Sequence, residues 1–229
     1  RSSITPDGKK IYVPTGWWYS GVDSGLLVVN AKDGKLIRRI NVGPEAHNSI
    51  VSLDGRYAYL GTITMLSVID TRMDKVIRQI TGLGENVSFP FTVNSRNRIA
   101  YVCLGHHVGF DVVDLQTEKV LHRVFAGKEP IPHRTHGAAL TPDEKELWIS
   151  EGEAGPDGGP GRKLFIFDTT NMPPTPKGHL DLSQGGHGWI CFSLDGKYAW
   201  SHTPDVFDVK TKKLESHDQD RTSREWMAM

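Results

Sequence analysis

Thr5-Pro6-Asp7-Gly8-Lys9-Lys10-Ile11-Tyr12 reads as a tight turn running into a strand. Pro presets a negative φ and Gly admits a left-handed residue, which are the requirements of a short hairpin. The phrase returns as Ser52-Leu53-Asp54-Gly55-Arg56-Tyr57-Ala58-Tyr59 and Asn94-Ser95-Arg96-Asn97-Arg98-Ile99-Ala100-Tyr101. It returns again as Thr141-Pro142-Asp143-Glu144-Lys145-Glu146-Leu147-Trp148 and Ser193-Leu194-Asp195-Gly196-Lys197-Tyr198-Ala199-Trp200. The closing aromatics stand at 12, 59, 101, 148 and 200, so the steps are 47, 42, 47 and 52 residues. Periods of about 40–50 residues with strand-like content mark propeller blades. Asn97 replaces the turn Gly with a residue that tolerates the left-handed region, whereas Glu144 at the same place predicts a different turn.

A second phrase falls between the copies of the first: Leu27-Val28-Val29-Asn30, Ser67-Val68-Ile69-Asp70, Val112-Val113-Asp114, Phe165-Ile166-Phe167-Asp168 and Val206-Phe207-Asp208. Its terminal Asp or Asn suits a side-chain bond to the backbone two residues on, which starts another turn. Each repeat therefore holds four short apolar runs, strands A to D from the axis outward. The expected fold is all-β, a β-propeller of four-stranded antiparallel blades with about five blades visible. Their expected bounds are 1–43, 44–84, 85–129, 130–182 and 183–214. Residues 215–229 are polar, without alternation, and are expected to be a disordered or non-native tail.

Composition narrows the function classes. The 229 residues carry 27 basic and 27 acidic side chains, a net charge of zero. No basic stripe marks a nucleic-acid face. The longest apolar run, Ile99 to Leu104, is far shorter than the ~18 residues a membrane-spanning helix needs. Cys103 and Cys191 belong to non-adjacent repeats, so a disulfide between them is not expected. A Gly-x-Ser-x-Gly elbow, a His-Glu-x-x-His, a Cys-x-x-Cys-His and a P-loop are all missing, which counts against the common hydrolases and nucleotide enzymes.

The repeat pattern resembles YVTN-type β-propeller repeats, carried here by Tyr12-Val13-Pro14-Thr15, Tyr59-Leu60-Gly61-Thr62 and Tyr101-Val102-Cys103-Leu104. The resemblance covers residues 4 to about 214. Similar repeats occur in surface-layer and secreted proteins, lactonase-like propellers and quinoprotein amine dehydrogenase subunits. It implies a periplasmic or extracellular setting, although the chain shows no signal peptide. Such propellers usually have seven blades, so the resemblance implies a fragment of a larger ring. Fold alone does not give function.

Antiparallel order places the D–A connections and B–C loops on one face, with the A–B and C–D turns on the other. His47 lies five residues before Ser52, His136 five before Thr141 and His187 six before Ser193. These strand-A entrances should gather at the mouth of the channel, with His133, His106 and His107 on the same face. Converging imidazoles suit a transition metal, Cu or Zn. The competing reading is that each His bonds a neighbouring carbonyl and shapes the loop. Trp17-Trp18-Tyr19 offers an aromatic surface for a small ligand or a protein. Glu151 and Asp205 are the nearest carboxylates by loop position. The expected function is a non-enzymatic propeller presenting a ligand- or protein-binding face. The alternative is an oxidoreductase subunit linked to metal or quinone, or a lactonase-like hydrolase with His47, His136 or His187 as general base.

Overall fold

A computed structural model describes residues 1–16, 24–85, 90–154, 159, 161–186 and 188–217. Those residues form twenty strands and no helix. The first sheet is β1 (Ser3–Ile4), β2 (Lys10–Pro14), β3 (Leu26–Asn30) and β4 (Leu36–Ile40). The second is β5 (Asn48–Val51), β6 (Tyr57–Gly61), β7 (Met65–Asp70) and β8 (Lys75–Thr81). The third is β9 (Phe91–Val93), β10 (Ile99–Cys103), β11 (Gly109–Asp114) and β12 (Lys119–Phe125). The fourth is β13 (His133–Leu140), β14 (Glu146–Ala154), β15 (Lys163–Asp168) and β16 (Thr175–Asp181). The fifth is β17 (Cys191–Phe192), β18 (Tyr198–Trp200), β19 (Asp205–Asp208) and β20 (Leu214–His217). Each sheet is an antiparallel meander in chain order, and the fold class is the expected all-β propeller of four-stranded blades.

Local chemistry explains the recurrence. In every A–B turn the residue at the Gly place donates its N–H to the carbonyl three residues back. The bonds are Gly8 to Thr5, Gly55 to Ser52, Asn97 to Asn94, Glu144 to Thr141 and Gly196 to Ser193, at 2.8–3.0 Å. Glu144 takes φ +56, beside +70 for Gly8 and +54 for Asn97. The expectation of a different turn at Glu144 is therefore corrected. A side-chain bracket overrides the Cβ penalty: Thr141 Oγ1 donates to Asp143 Oδ1 at 2.7 Å and accepts the Glu146 N–H at 3.1 Å. Thr5, Ser52 and Ser193 build the same bracket. Asn94 replaces the hydroxyl with its own Oδ1, which accepts the Arg98 and Ile99 N–H groups.

The Asp or Asn closing strand C acts as expected. Asp70 Oδ1 accepts from the Arg72 and Met73 N–H groups, and Asp114 Oδ1 from Gln116 and Thr117. Register shifts recur one step inside that turn, at Val28/Val29, Val68/Ile69, Ile166/Phe167 and Val206/Phe207. A bulge there adds twist to the outer strand pair.

Residues 215–217 depart from the expected tail. Leu214–His217 pairs with β19, with Leu214 opposite Phe207 and Ser216 opposite Val206. An outer strand needs only the backbone ladder, so a polar one carries no alternation to read. Residues 218–229 lie outside the described residues.

The chain forms two compact units: Arg1–Val102 with Val113–Val120, and Cys103–Val112 with the described residues from Leu121 onward. In the first, Tyr12, Leu26 and Val28 pack on Ala58, Leu60 and Ile69, while Tyr59 and Val68 pack on Phe91, Ala100 and Val113. In the second, Trp148, Leu164 and Ile166 pack on Ile190, Ala199 and Phe207. The Val, Leu, Ile and Phe side chains among these each contribute about 1.5–3 kcal/mol when fully buried. Cys103 is buried, which raises its thiol pKa, and neither cysteine forms a disulfide.

Candidate binding face at the strand-A entrances

In the second unit the entrance of the fourth sheet is tied to the B–C loop of the third by one hydroxyl. Buried Thr135 Oγ1 donates to Gly109 O at 2.8 Å and accepts the Gly109 N–H at 2.7 Å, while its own N–H donates to Leu104 O at 2.9 Å. Next to it His136 is buried, with its ring edge-on to Trp189 at 5.5 Å and 84°.

The glycines beside the histidines have a steric cause. A Cβ on Gly137 would lie 1.6 Å from Gly188 O. Gly188 itself has φ +98, and its Cβ would meet Ser150 Oγ at 2.3 Å and His136 Cβ at 3.0 Å. Ser150 Oγ donates to Gly188 O at 2.5 Å. The backbones of the fourth and fifth sheets therefore touch here, and only glycine permits it. The His-Gly pattern marks a close backbone approach.

His133 Nδ1 lies 3.1 Å from Glu151 Oε1, buried and out of line for a hydrogen bond. Glu151 Oε2 accepts the Arg162 N–H at 2.9 Å, and the Gly161 N–H donates to Gly152 O at 3.0 Å. Together these bonds pin both ends of the long B–C loop. Asp205 is buried, and its Oδ2 accepts from Thr203 Oγ1 at 2.6 Å and the Ser183 N–H at 2.9 Å. These bonds hold its loop. His106 is exposed, and the His107 ring stands edge-on to Phe125 at 5.7 Å.

In the first unit the His47 N–H donates to Gly61 O at 3.0 Å, and the neighbouring Ala46 O accepts from the Gly16 N–H at 3.1 Å. Beside His47, Asn48 is 1% exposed and its Oδ1 is buried with no hydrogen-bond partner among the described residues. Glu45 Oε2 is a second buried acceptor in that state. Trp17, Trp18, Tyr19 and His187 lie outside the described residues. Among the described residues no group of three or more His, Cys, Asp or Glu side chains is placed to hold a metal ion.

The turn face carries a different chemistry, which sequence reasoning missed. Lys10 Nζ donates to Asp74 Oδ2 at 2.7 Å, and the Tyr12 hydroxyl donates to Asp74 Oδ1 at 2.5 Å. Burial, reinforced by Asp74, raises the Tyr12 pKa and keeps the phenol a donor. In the second unit Glu146 accepts from Lys177 at 2.6 Å, Lys212 at 2.5 Å and Trp148 Nε1 at 2.9 Å. Burial opposes ionisation of Glu146, but these three donors outweigh it and lower its pKa. A pocket of about 610 Å³ beside this cluster is lined by Lys145, Lys177, Lys210, Asp143 and Asp195. The one signal in the sequence was the exchange of Lys10 for Glu146 at the same repeat place.

With fold and faces described, the class is a β-propeller. A solved structure of Kuenenia stuttgartiensis hydrazine synthase is similar, with a TM-score of 0.70 and 18% sequence identity. The likeness covers 91% of this chain and 64% of that one, so the chain spans less than two thirds of the structure it matches. At this identity the likeness shows the fold alone. No family model matches the sequence, the YVTN repeats included, and no curated protein matches it.

Proposed function

We propose that this chain is a non-enzymatic, YVTN-like β-propeller whose strand-entrance face binds a small ligand or a protein in a secreted or periplasmic setting. One observation carries the reading. Asn48 Oδ1 and Glu45 Oε2, flanking His47, are buried acceptors with no hydrogen-bond partner among the described residues. Leaving such a group unpaired costs about 1–3 kcal/mol, a cost that a donor-bearing ligand removes. Hydroxyl, amine or peptide N–H groups are the matching chemistry.

A thermal-shift screen with polyols, amines and short peptides tests this. A binder should raise the Tm of the native protein and lose its effect in Asn48→Ala, while that variant remains folded. Equal shifts in both proteins for every binder would overturn the reading.

A second reading has one observation in its favour. Glu151 Oε1 stands 3.1 Å from His133 Nδ1, and a small turn of the ring would make the hydrogen bond that orients an imidazole for metal binding or proton transfer at its other nitrogen. This reading is a Cu or Zn oxidoreductase or a lactonase-like hydrolase using His47, His136 and His187. Stoichiometric metal in the purified protein, lost in a His47→Ala/His136→Ala/His187→Ala variant, would favour it over the first.

A further inference from the structure

Two sheet junctions carry ion pairs of opposite sense at equivalent places. Lys10 and Glu146 each stand two residues before the closing aromatic, Tyr12 or Trp148. Asp74 and Lys212 each stand four residues after the strand-C aspartate, with φ of +50 and +62. Between the first and second sheets the base is on the preceding sheet: Lys10 Nζ reaches Asp74 Oδ2 at 2.7 Å and Thr71 O at 2.8 Å. Between the fourth and fifth the acid is on the preceding sheet: Glu146 Oε2 receives Lys212 Nζ at 2.5 Å, and Lys212 also bonds Val209 O. In both, the closing aromatic donates to the acid. Asp74 and Glu146 are both buried. At the junction of the second and third sheets these places hold Tyr57 and Glu118, and the bridge is instead Arg78 to Leu115 O at 2.6 Å.

Sheets of one geometry can stack in the wrong order, within a chain or between copies. Stacking the second sheet on the fourth would set Asp74 against Glu146. Stacking the fifth on the first would set Lys212 against Lys10. Like charges, buried for the two acids and half-buried for the two lysines, oppose both arrangements, while each correct pair is satisfied.

We propose that the Lys10/Asp74 and Glu146/Lys212 pairs form a charge code that fixes which sheet accepts which, excluding mispaired sheets of a second copy of this chain. The code is independent of what the entrance face binds.

The test refolds variants from denaturant at rising protein concentration and measures the dimer fraction by size exclusion with light scattering. Lys10→Glu and Asp74→Lys should each lower the Tm, and the double variant should recover most of the loss. The double variant should also form several-fold more dimer, because a second sheet carrying Asp74→Lys now fits Glu146 of another copy. Adding Glu146→Lys and Lys212→Glu should bring the dimer fraction back down, since the two junctions again differ in sign. Lys177, with its side chain 45% exposed, can swing away from Glu146→Lys. The double variant Glu146→Lys/Lys212→Glu tests the other junction alone and should dimerise likewise. A native-like dimer fraction in both double variants, or no fall on combining them, overturns the code. Failure of both double variants to recover the Tm lost in their single variants overturns it as well.

Discussion

The turn face and the entrance face of these sheets are built on opposite rules. Every A–B turn repeats one bracket of a hydroxyl or amide, a left-handed residue and an N–H three residues from its acceptor. The entrances do not repeat. One is closed by Thr135 on Gly109, one by Ser150 on Gly188 across a glycine contact, and one leaves Asn48 Oδ1 without a partner among the described residues. Repetition serves the scaffold, where each blade must form the same hairpin. Variation belongs to the face where loops of different sheets meet, and that is where a binding site can be specific.

The largest expected effect breaks the entrance face. Gly137→Ala places a methyl 1.6 Å from Gly188 O, so the fourth and fifth sheets must separate. A loss of about 4 kcal/mol or more is expected from overpacking of this kind, read as a fall in denaturant midpoint. An unchanged midpoint would mean that the backbones do not touch. Ser150→Ala removes the donor to Gly188 O and leaves a buried carbonyl unpaired, at a cost of about 1–3 kcal/mol. Ser150→Thr should not rescue it, because the junction has no room for the added methyl beside Gly137 and Gly188.

On the turn face the effects are smaller. Glu144→Gly should stabilise by about 1 kcal/mol, since φ +56 penalises any Cβ. The same substitution would be neutral or harmful if Glu144 occupied a different turn. Acid should expose the brackets. The Thr5 hydroxyl, then the Lys9 N–H, pull the Asp7 pKa down to about 2, and the Ser193 hydroxyl, then the Lys197 N–H, do the same for Asp195. A folded pKa below the unfolded value of about 3.9 contributes stability that is present above pH 4 and lost as pH falls toward 2. A pH series of thermal melts should show that decline. Asp7→Asn/Asp195→Asn should make it shallower by lowering the pH 7 melt toward the low-pH value. A parallel decline in the variant would assign it to other carboxylates.

What was legible in the chain follows the same division. The period, the strands and the turns could be read because their causes are local: Thr5 reaches Asp7 and Lys10, and Asp70 reaches Arg72 and Met73. Glu144 misled because a bracket three residues away outweighs its own preference. Residues 215–217 were missed because an outer strand is held by its ladder rather than by an apolar face. His47, His136 and His187 left two readings open in the sequence, converging ligands or side chains that shape their loops. The contacts of His136 with Trp189 and of His133 with Glu151 join residues that no local pattern pairs.

Sequence alone determined a repeating, all-β, four-stranded unit and the chemistry of its turns, since those bonds join residues two to five apart. Tertiary structure alone decided the junctions. Ser150 meets Gly188 38 residues on, Tyr12 meets Asp74 after 62, and Glu146 meets Lys212 after 66. No local preference selects such partners. They are chosen by which sheets stack, and stacking depends on shape and charge summed over whole sheets.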